Sequence, residues 1–135
     1  MEDINILKTL VCETFQDLRI NKFTLLAKGG EGTICLANDE IVFKIPLQSE
    51  GDNEAVVLRF LEGKLGIEIP KVLYAAYSES GLYIIGESLL SGVAYSYELH
   101  DTFDSEIKND ICRQLGKIVR SLHEAGGNDP SYRFC

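Results

Sequence analysis

The sequence predicts an α+β domain: a five-stranded antiparallel sheet with one helix between the third and fourth strands. Three observations lead there. Short apolar segments of strand length, divided by polar or glycine turns, come as a group of three and then a group of two. One stretch between the groups spaces its apolar residues at helical intervals. Helical stripes also stand at both ends of the set, so strands and helices do not alternate as a doubly wound sheet requires.

The elements follow in order. Ile4, Leu7, Leu10, Val11, Phe15 and Leu18 share one helical face, with Glu2 and Asp3 at its positive end, and Asn21-Lys22 breaks the pattern. FTLLAK (23–28) reads as a strand ending at Gly29-Gly30. TICLA (33–37) and IVFKI (41–45) are two more, with Asn38-Asp39-Glu40 as the hairpin turn between them. QSEGDNE (48–54) is loop-like. Residues 54–65 then form a helical pattern, with Val57, Leu58, Leu61 and Leu65 on one side and Gly66 as its C-terminal stop. IPKVLYAAYS (69–78) and LYIIGES (82–88) are the last two strands, joined through Glu79-Ser80-Gly81. After Ser91-Gly92 comes a weakly patterned stretch. Asp104 then caps a long helix striped by Ile107, Ile111, Leu115, Ile118, Val119 and Leu122, which ends at Ala125-Gly126-Gly127.

At 135 residues and 45% apolar, the chain suits one domain with a single core. A net charge of −8, spread along the chain, argues against nucleic acid, whose phosphates want a basic face. No apolar run approaches the roughly 20 residues of a membrane helix, and the acidic start does not read as a signal peptide. The expectation is a soluble, cytoplasmic protein without a membrane partner. Cys12, Cys35, Cys112 and Cys135 form no C-x-x-C pair and no zinc spacing with His100 or His123, so no metal site is expected; the first three read as buried reduced thiols.

Chemistry concentrates between residues 27 and 54. Ala27 to Ile34 match the pattern G-x-G-x-x-G-x-V with alanine first and isoleucine last. Glycine without a Cβ lets main-chain N–H groups reach phosphate oxygens, although a hairpin turn alone also uses glycine. In the strand that follows, Ile41, Phe43 and Ile45 share one face and Val42, Lys44 and Pro46 the other. An inward Lys44 needs a carboxylate; an outward one simply reaches solvent. Glu54, opening the next helix, can supply that carboxylate, and Glu50 is a rival for the role. Tyr83 to Gly92 reads as a strand running into a hinge, where backbone groups of Glu87 and Leu89 would meet the edge of a base.

This order of glycine loop, lysine strand, glutamate helix, two strands and hinge resembles the N-terminal lobe of kinase-like phosphotransferases. It is most similar to the aminoglycoside phosphotransferase and choline kinase-like group. The group's "xxFKxP" stands at residues 41–46, its "E-x-x-x-L-x-x-L" helix at 54–61, its "IPxVL" at 69–73, and its "LxxLH" helix within IVRSLHEA (118–125). The resemblance implies ATP or GTP as phosphate donor. Gly29, Gly30 and Gly32 would then flank the phosphates, Lys44 would hold them, Glu54 would hold Lys44, and Ile34 and Val42 would pack the base. Two departures bear on the base pocket: Ala27 takes the first glycine position, and Gly86 stands where a bulkier residue often lines the pocket.

The group's H-G-D-x-x-x-x-N loop and later metal-binding aspartate have no counterpart in the sequence. Asp104 and Asn109 have the D-x-x-x-x-N spacing but precede the "LxxLH" helix, and read as a cap and a surface residue. His100-Asp101 reads as a linker pair, and His123 as packing at a helix end. The resemblance therefore implies a nucleotide-binding N-lobe over residues 1–90. Residues 91–135 would be the hinge and first helix of a C-lobe that is otherwise missing. No catalytic residue is assigned, Mg²⁺ would bind only with that lobe, and the isolated chain is expected to be inactive. The intact enzyme would phosphorylate a hydroxyl on a small molecule, a cationic aminoglycoside by preference. The alternative is a non-catalytic binding or regulatory module of the same shape. Surface left open by a missing lobe would favour a homo-oligomer.

Overall fold

The computed structural model describes residues 3–48 and 51–126. They form α1 (Ile4–Thr14), β1 (Phe23–Lys28), β2 (Gly32–Ala37), β3 (Ile41–Pro46), α2 (Asn53–Leu61), β4 (Val72–Tyr77), β5 (Tyr83–Ser88), α3 (Tyr97–Asp101) and α4 (Ser105–Gly126). The five strands make one sheet in the order β1-β2-β3-β5-β4, antiparallel throughout, and α2 joins β3 to β4. The predicted α+β class and its helix placement hold.

Alternation divides the sheet into two faces. Cys35, Ala37, Ile41, Phe43, Ile45 and Ile84 are buried on one, packed with Leu7, Val11 and Phe15 from α1 and the residue after it. Fully burying each large side chain is worth about 1.5–3 kcal/mol, so this face anchors the sheet. Phe15, Phe43 and Tyr74 form a tilted aromatic trio with ring centroids 5.4–6.0 Å apart. The opposite face carries Ile34, Val42 and Lys44, as the period of two requires.

Turn chemistry sets the register. Asn38 and Asp39 have φ of 55° and 57°, the paired left-handed conformations of a type I′ hairpin. The Asn38 side chain adds three bonds: Oδ1 accepts from the N–H of Asn21 (2.8 Å) and of Lys22 (3.2 Å), and Nδ2 donates to the Arg19 carbonyl (2.8 Å).

Several boundaries differ from expectation. α1 stops at Thr14, where the Phe15 N–H donates to the Val11 carbonyl; Phe15 and Leu18 still reach the core, from a turn rather than a helix. Asp3 is the cap, its carboxylate accepting from the Asn5 N–H at 2.9 Å, while Glu2 lies outside the described residues. α2 ends at Leu61, not Leu65. Gly63, at φ +74°, takes the left-handed position, and the Lys64 N–H closes on the Leu61 carbonyl, so Gly63 rather than Gly66 stops the helix. β4 begins at Val72, leaving Ile69 to Lys71 outside it.

The chain divides into two compact units, residues 1–59 with 70–89, and residues 60–69 with 90–135. The second holds an unexpected helix, α3. Ser96 caps it, accepting from the Leu99 N–H at 3.1 Å, so His100 and Asp101 are helical rather than linker residues. Tyr95 hydrogen-bonds Nδ1 of His100 and stacks on Phe103. Asp104 caps α4 as expected, accepting from the Ile107 N–H at 2.9 Å. Ile107, Leu115 and Val119 of its stripe are solvent-exposed. Cys35 is buried, but Cys12 is half-buried and Cys112 exposed on α4, which corrects the reading of all three as buried thiols. His123 is exposed, not packed, and Cys135 lies outside the described residues. Among the described residues no helix is long and apolar enough to cross a membrane.

Candidate functional site

The β1–β2 turn, the pocket face of β3 and the start of α2 enclose a pocket of about 680 Å³, within the range of small-ligand sites. Gly29 to Ile34 form one wall, Lys44 to Pro46 another, and Asn53 and Glu54 the helical side; Tyr83 and Ile85 of β5 close the back. The Gly29 N–H donates to the Gly32 carbonyl at 3.0 Å, and the Leu47 N–H donates to the Glu31 carbonyl at 3.1 Å, tying the loop to the end of β3.

The three loop glycines differ in what requires them. A Cβ on Gly32 would lie 2.4 Å from the Ile45 carbonyl oxygen and 2.9 Å from the Pro46 Cα, so Gly32 serves the close approach of β2 to β3. Around Gly29 and Gly30 a Cβ would meet nothing within 4 Å; these two leave open space over the pocket.

Lys44 lies opposite Ile34 on β2 and Ile85 on β5, on the pocket face. Its ammonium hydrogen-bonds Oε1 of Glu54 in the first turn of α2. Glu54 is thus the carboxylate brought to Lys44; Glu50 lies outside the described residues. A second carboxylate stands 3.4 Å away: Oε1 of Glu87, whose side chain is 4% exposed and for which the sequence reading had a role only for the backbone. Oε1 is within ion-pair distance of the ammonium yet has no hydrogen-bond partner among the described residues. The buried Thr33 hydroxyl is likewise unsatisfied.

This environment moves two titrations. Burial penalises the Lys44 ammonium, but the hydrogen bond to Glu54 and the charges of Glu87 and Glu54 outweigh it and raise its pKa above 10.5. Burial, reinforced by neighbouring Glu54, pushes the Glu87 carboxyl above its ordinary 4.5, with Lys44 pulling the other way.

Register also reassigns Gly86. It pairs with Phe43 on the α1 face, and a Cβ there would lie 2.6 Å from Cε1 of the Phe43 ring. Gly86 therefore makes room for the core and not for a base; the β5 side chains on the pocket face are those of Tyr83, Ile85 and Glu87. Ile34 lines the pocket, whereas Val42, Glu87 and Leu89 are not among its lining residues. The Leu89 N–H donates to the Glu40 carbonyl at 3.0 Å, so that amide is already engaged. Tyr83, Ile85 and Asn53 were not singled out from sequence, although Tyr83 and Ile85 follow from the alternation of β5 once the pairing of Lys44 with Ile85 is known.

The site thus joins a glycine turn, a strand lysine and a helix-borne glutamate on that lysine. The fold is that of the kinase-like N-lobe of the aminoglycoside phosphotransferases. The GDP complex of wild-type aminoglycoside 2'-phosphotransferase-IIIa matches with a TM-score of 0.79 at 22% identity, over 90% of this chain and 42% of that one. The streptomycin–ATP ternary complex of APH(2'')-IIa matches at 0.69 and 23% identity, over 91% and 40%. ADP-bound APH(2'')-Ib matches at 0.63 and 23% identity, over 90% and 40%. No protein-family model and no curated protein matches the chain. The chain thus spans about two fifths of the length of these phosphotransferases, whose fold it resembles over that part.

Proposed function

We propose that this chain is the nucleotide-binding N-lobe of a small-molecule phosphotransferase. The observation that carries the reading is the Lys44–Glu54 pair at the mouth of the glycine turn: a strand ammonium held in place by a helix carboxylate and facing an open pocket. Such a lysine neutralises phosphate charge, and its partner limits the positions it samples. The open space at Gly29 and Gly30 is the cradle a phosphate chain would occupy. A bound nucleoside triphosphate would contribute the transferable phosphoryl group. Within this chain, Lys44 binds and orients its phosphates, and Ile34 packs against its base.

The solved neighbours bound to GDP, ATP and ADP support a nucleotide ligand, and their aminoglycoside phosphotransferase activity supports a hydroxyl-bearing cationic acceptor. The acidic net charge of −8 agrees with such an acceptor. The base that activates the hydroxyl, and the ligands for Mg²⁺, would come from the C-lobe that this chain does not span. On this reading the chain alone binds nucleotide and does not turn it over.

Calorimetric titration of the chain with ADP and GDP tests the reading. At least one should bind, and Lys44→Ala should weaken it at least roughly tenfold, the scale of losing one charge-assisted phosphate contact. Absence of binding to both nucleotides, or binding indifferent to Lys44→Ala, would overturn the reading.

A further inference from the structure

Glu87 is a charged residue in a strand flanked on both sides, with β3 and β4 as neighbours, and its whole residue is only 3% exposed. Its cross-strand partners are Val42 and Val72, neither of which offers a charge or a side-chain donor. The charged groups that face it are Lys44 from β3 and Glu54 from α2. One ammonium is therefore shared by two carboxylates. The two differ: Glu54 is partly exposed and hydrogen-bonds the lysine, whereas Glu87 is buried and its Oε1, 3.4 Å from the ammonium, completes no hydrogen bond among the described residues.

A buried carboxylate with an unfilled acceptor is costly and persists only through its cation. A phosphate oxygen approaching Lys44 from the pocket competes for the same ammonium. Glu54 keeps its hydrogen bond, so the weaker contact, Glu87, is the one displaced.

We propose that Glu87 is a positioning residue that holds Lys44 in the empty site, yields it to a nucleotide's phosphate oxygen, and takes up a proton as it does so. This rests on the nucleotide reading above. No covalent bond of the nucleotide changes. The ion pair between Lys44 and Glu87 is exchanged for one between Lys44 and phosphate, and the proton passes from buffer to the Glu87 carboxylate. Burial and Glu54 already favour the protonated form of Glu87, and Lys44 is what opposes it. Once phosphate answers the lysine charge, that opposition weakens and the carboxyl binds its proton.

The test is calorimetry near neutral pH in two buffers of different ionisation enthalpy, with ADP, GDP and the phosphate-free nucleosides. The wild-type chain should take up a fraction of a proton on binding nucleotide and none on binding nucleoside. Glu87→Gln, close to isosteric, should abolish the uptake and bind nucleotide roughly five- to tenfold tighter, the scale of removing one nearby partly screened anion, with nucleoside affinity unchanged. A carboxyl NMR titration of Glu87 in the wild-type chain gives a readout that needs no variant: its midpoint should rise when nucleotide is added. Binding without proton uptake, a midpoint that does not rise, or a Glu87→Gln affinity that is equal or weaker overturns this proposal and leaves the nucleotide reading standing. Failure of both chains to bind nucleotide overturns the two together.

Discussion

Phe43 and Gly86 face each other across β3 and β5, and the Phe43 ring fills the volume that a side chain at 86 would take, 2.6 Å from where a Cβ would sit. Phe43 is fully buried and packs on Phe15 and Tyr74, so the ring cannot retreat without disturbing the trio beneath α1. Gly86→Ala should lower unfolding stability by about 1–3 kcal/mol, as overpacking does. Adding Phe43→Leu should recover part of the loss, so that the double variant loses less than the sum of the singles. Urea denaturation of the four chains checks this; strict additivity would mean that the two residues do not compete for one space.

The glycine turn should separate into a structural and a permissive part. Gly32→Ala drives a Cβ into the Ile45 carbonyl of the neighbouring strand and should cost at least about 2 kcal/mol, because backbone cannot step aside as a side-chain end can. Gly30→Ala meets open space and should change stability by less than about 0.5 kcal/mol. Thermal melts compare them, and a Gly30→Ala loss equal to that of Gly32→Ala would refute the division.

Asn38 combines a left-handed backbone with three side-chain bonds that hold the segment entering β1. Asn38→Gly keeps the backbone freedom and loses the bonds, for about 1 kcal/mol; Asn38→Ala loses both, for about 2 kcal/mol. Equal losses in denaturant titrations would eliminate the backbone share, and no loss in either would eliminate both.

The raised Glu87 pKa has a definite consequence for stability against pH. A group that binds its proton more tightly when folded adds stability below its ordinary value, here 4.5, and that contribution fades as pH rises through the shifted value. Lys44 behaves likewise around and above 10.5. Glu87→Gln removes the first effect, so its stability relative to wild type should improve steadily from acid toward neutral pH. Unfolding titrations across that range check it; a difference that is flat or runs the other way would show that Glu87 is not the proton binder inferred from its burial.

Much of the fold was legible because it depends on near neighbours in sequence. Period-two alternation put Phe43 and Lys44 on opposite faces of β3, a hairpin turn at Asn38-Asp39 joined β2 to β3, and Asp104 opened the last helix. Glu54, ten residues after Lys44 and in the first turn of the next helix, was legible as a candidate partner because that helix can fold back over the strand, with Glu50 as its rival. The weaker boundaries were local too, but several signals competed: Gly63 and Gly66 both offer a helix stop, and only the chain path selects Gly63.

The sequence by itself determined the order of the five strands, the helix between β3 and β4 and the two faces of β3, and it named Lys44 with Glu54 or Glu50 as the candidate pair. Tertiary structure alone decided what β5 contributes, because the pairing register between β3 and β5 is set by strands some forty residues apart. A shift of one residue in that register exchanges the faces of Gly86 and Glu87. The observed register turns Gly86 to the core beneath α1 and Glu87 to Lys44, giving the lysine a second, buried carboxylate that no local pattern announces.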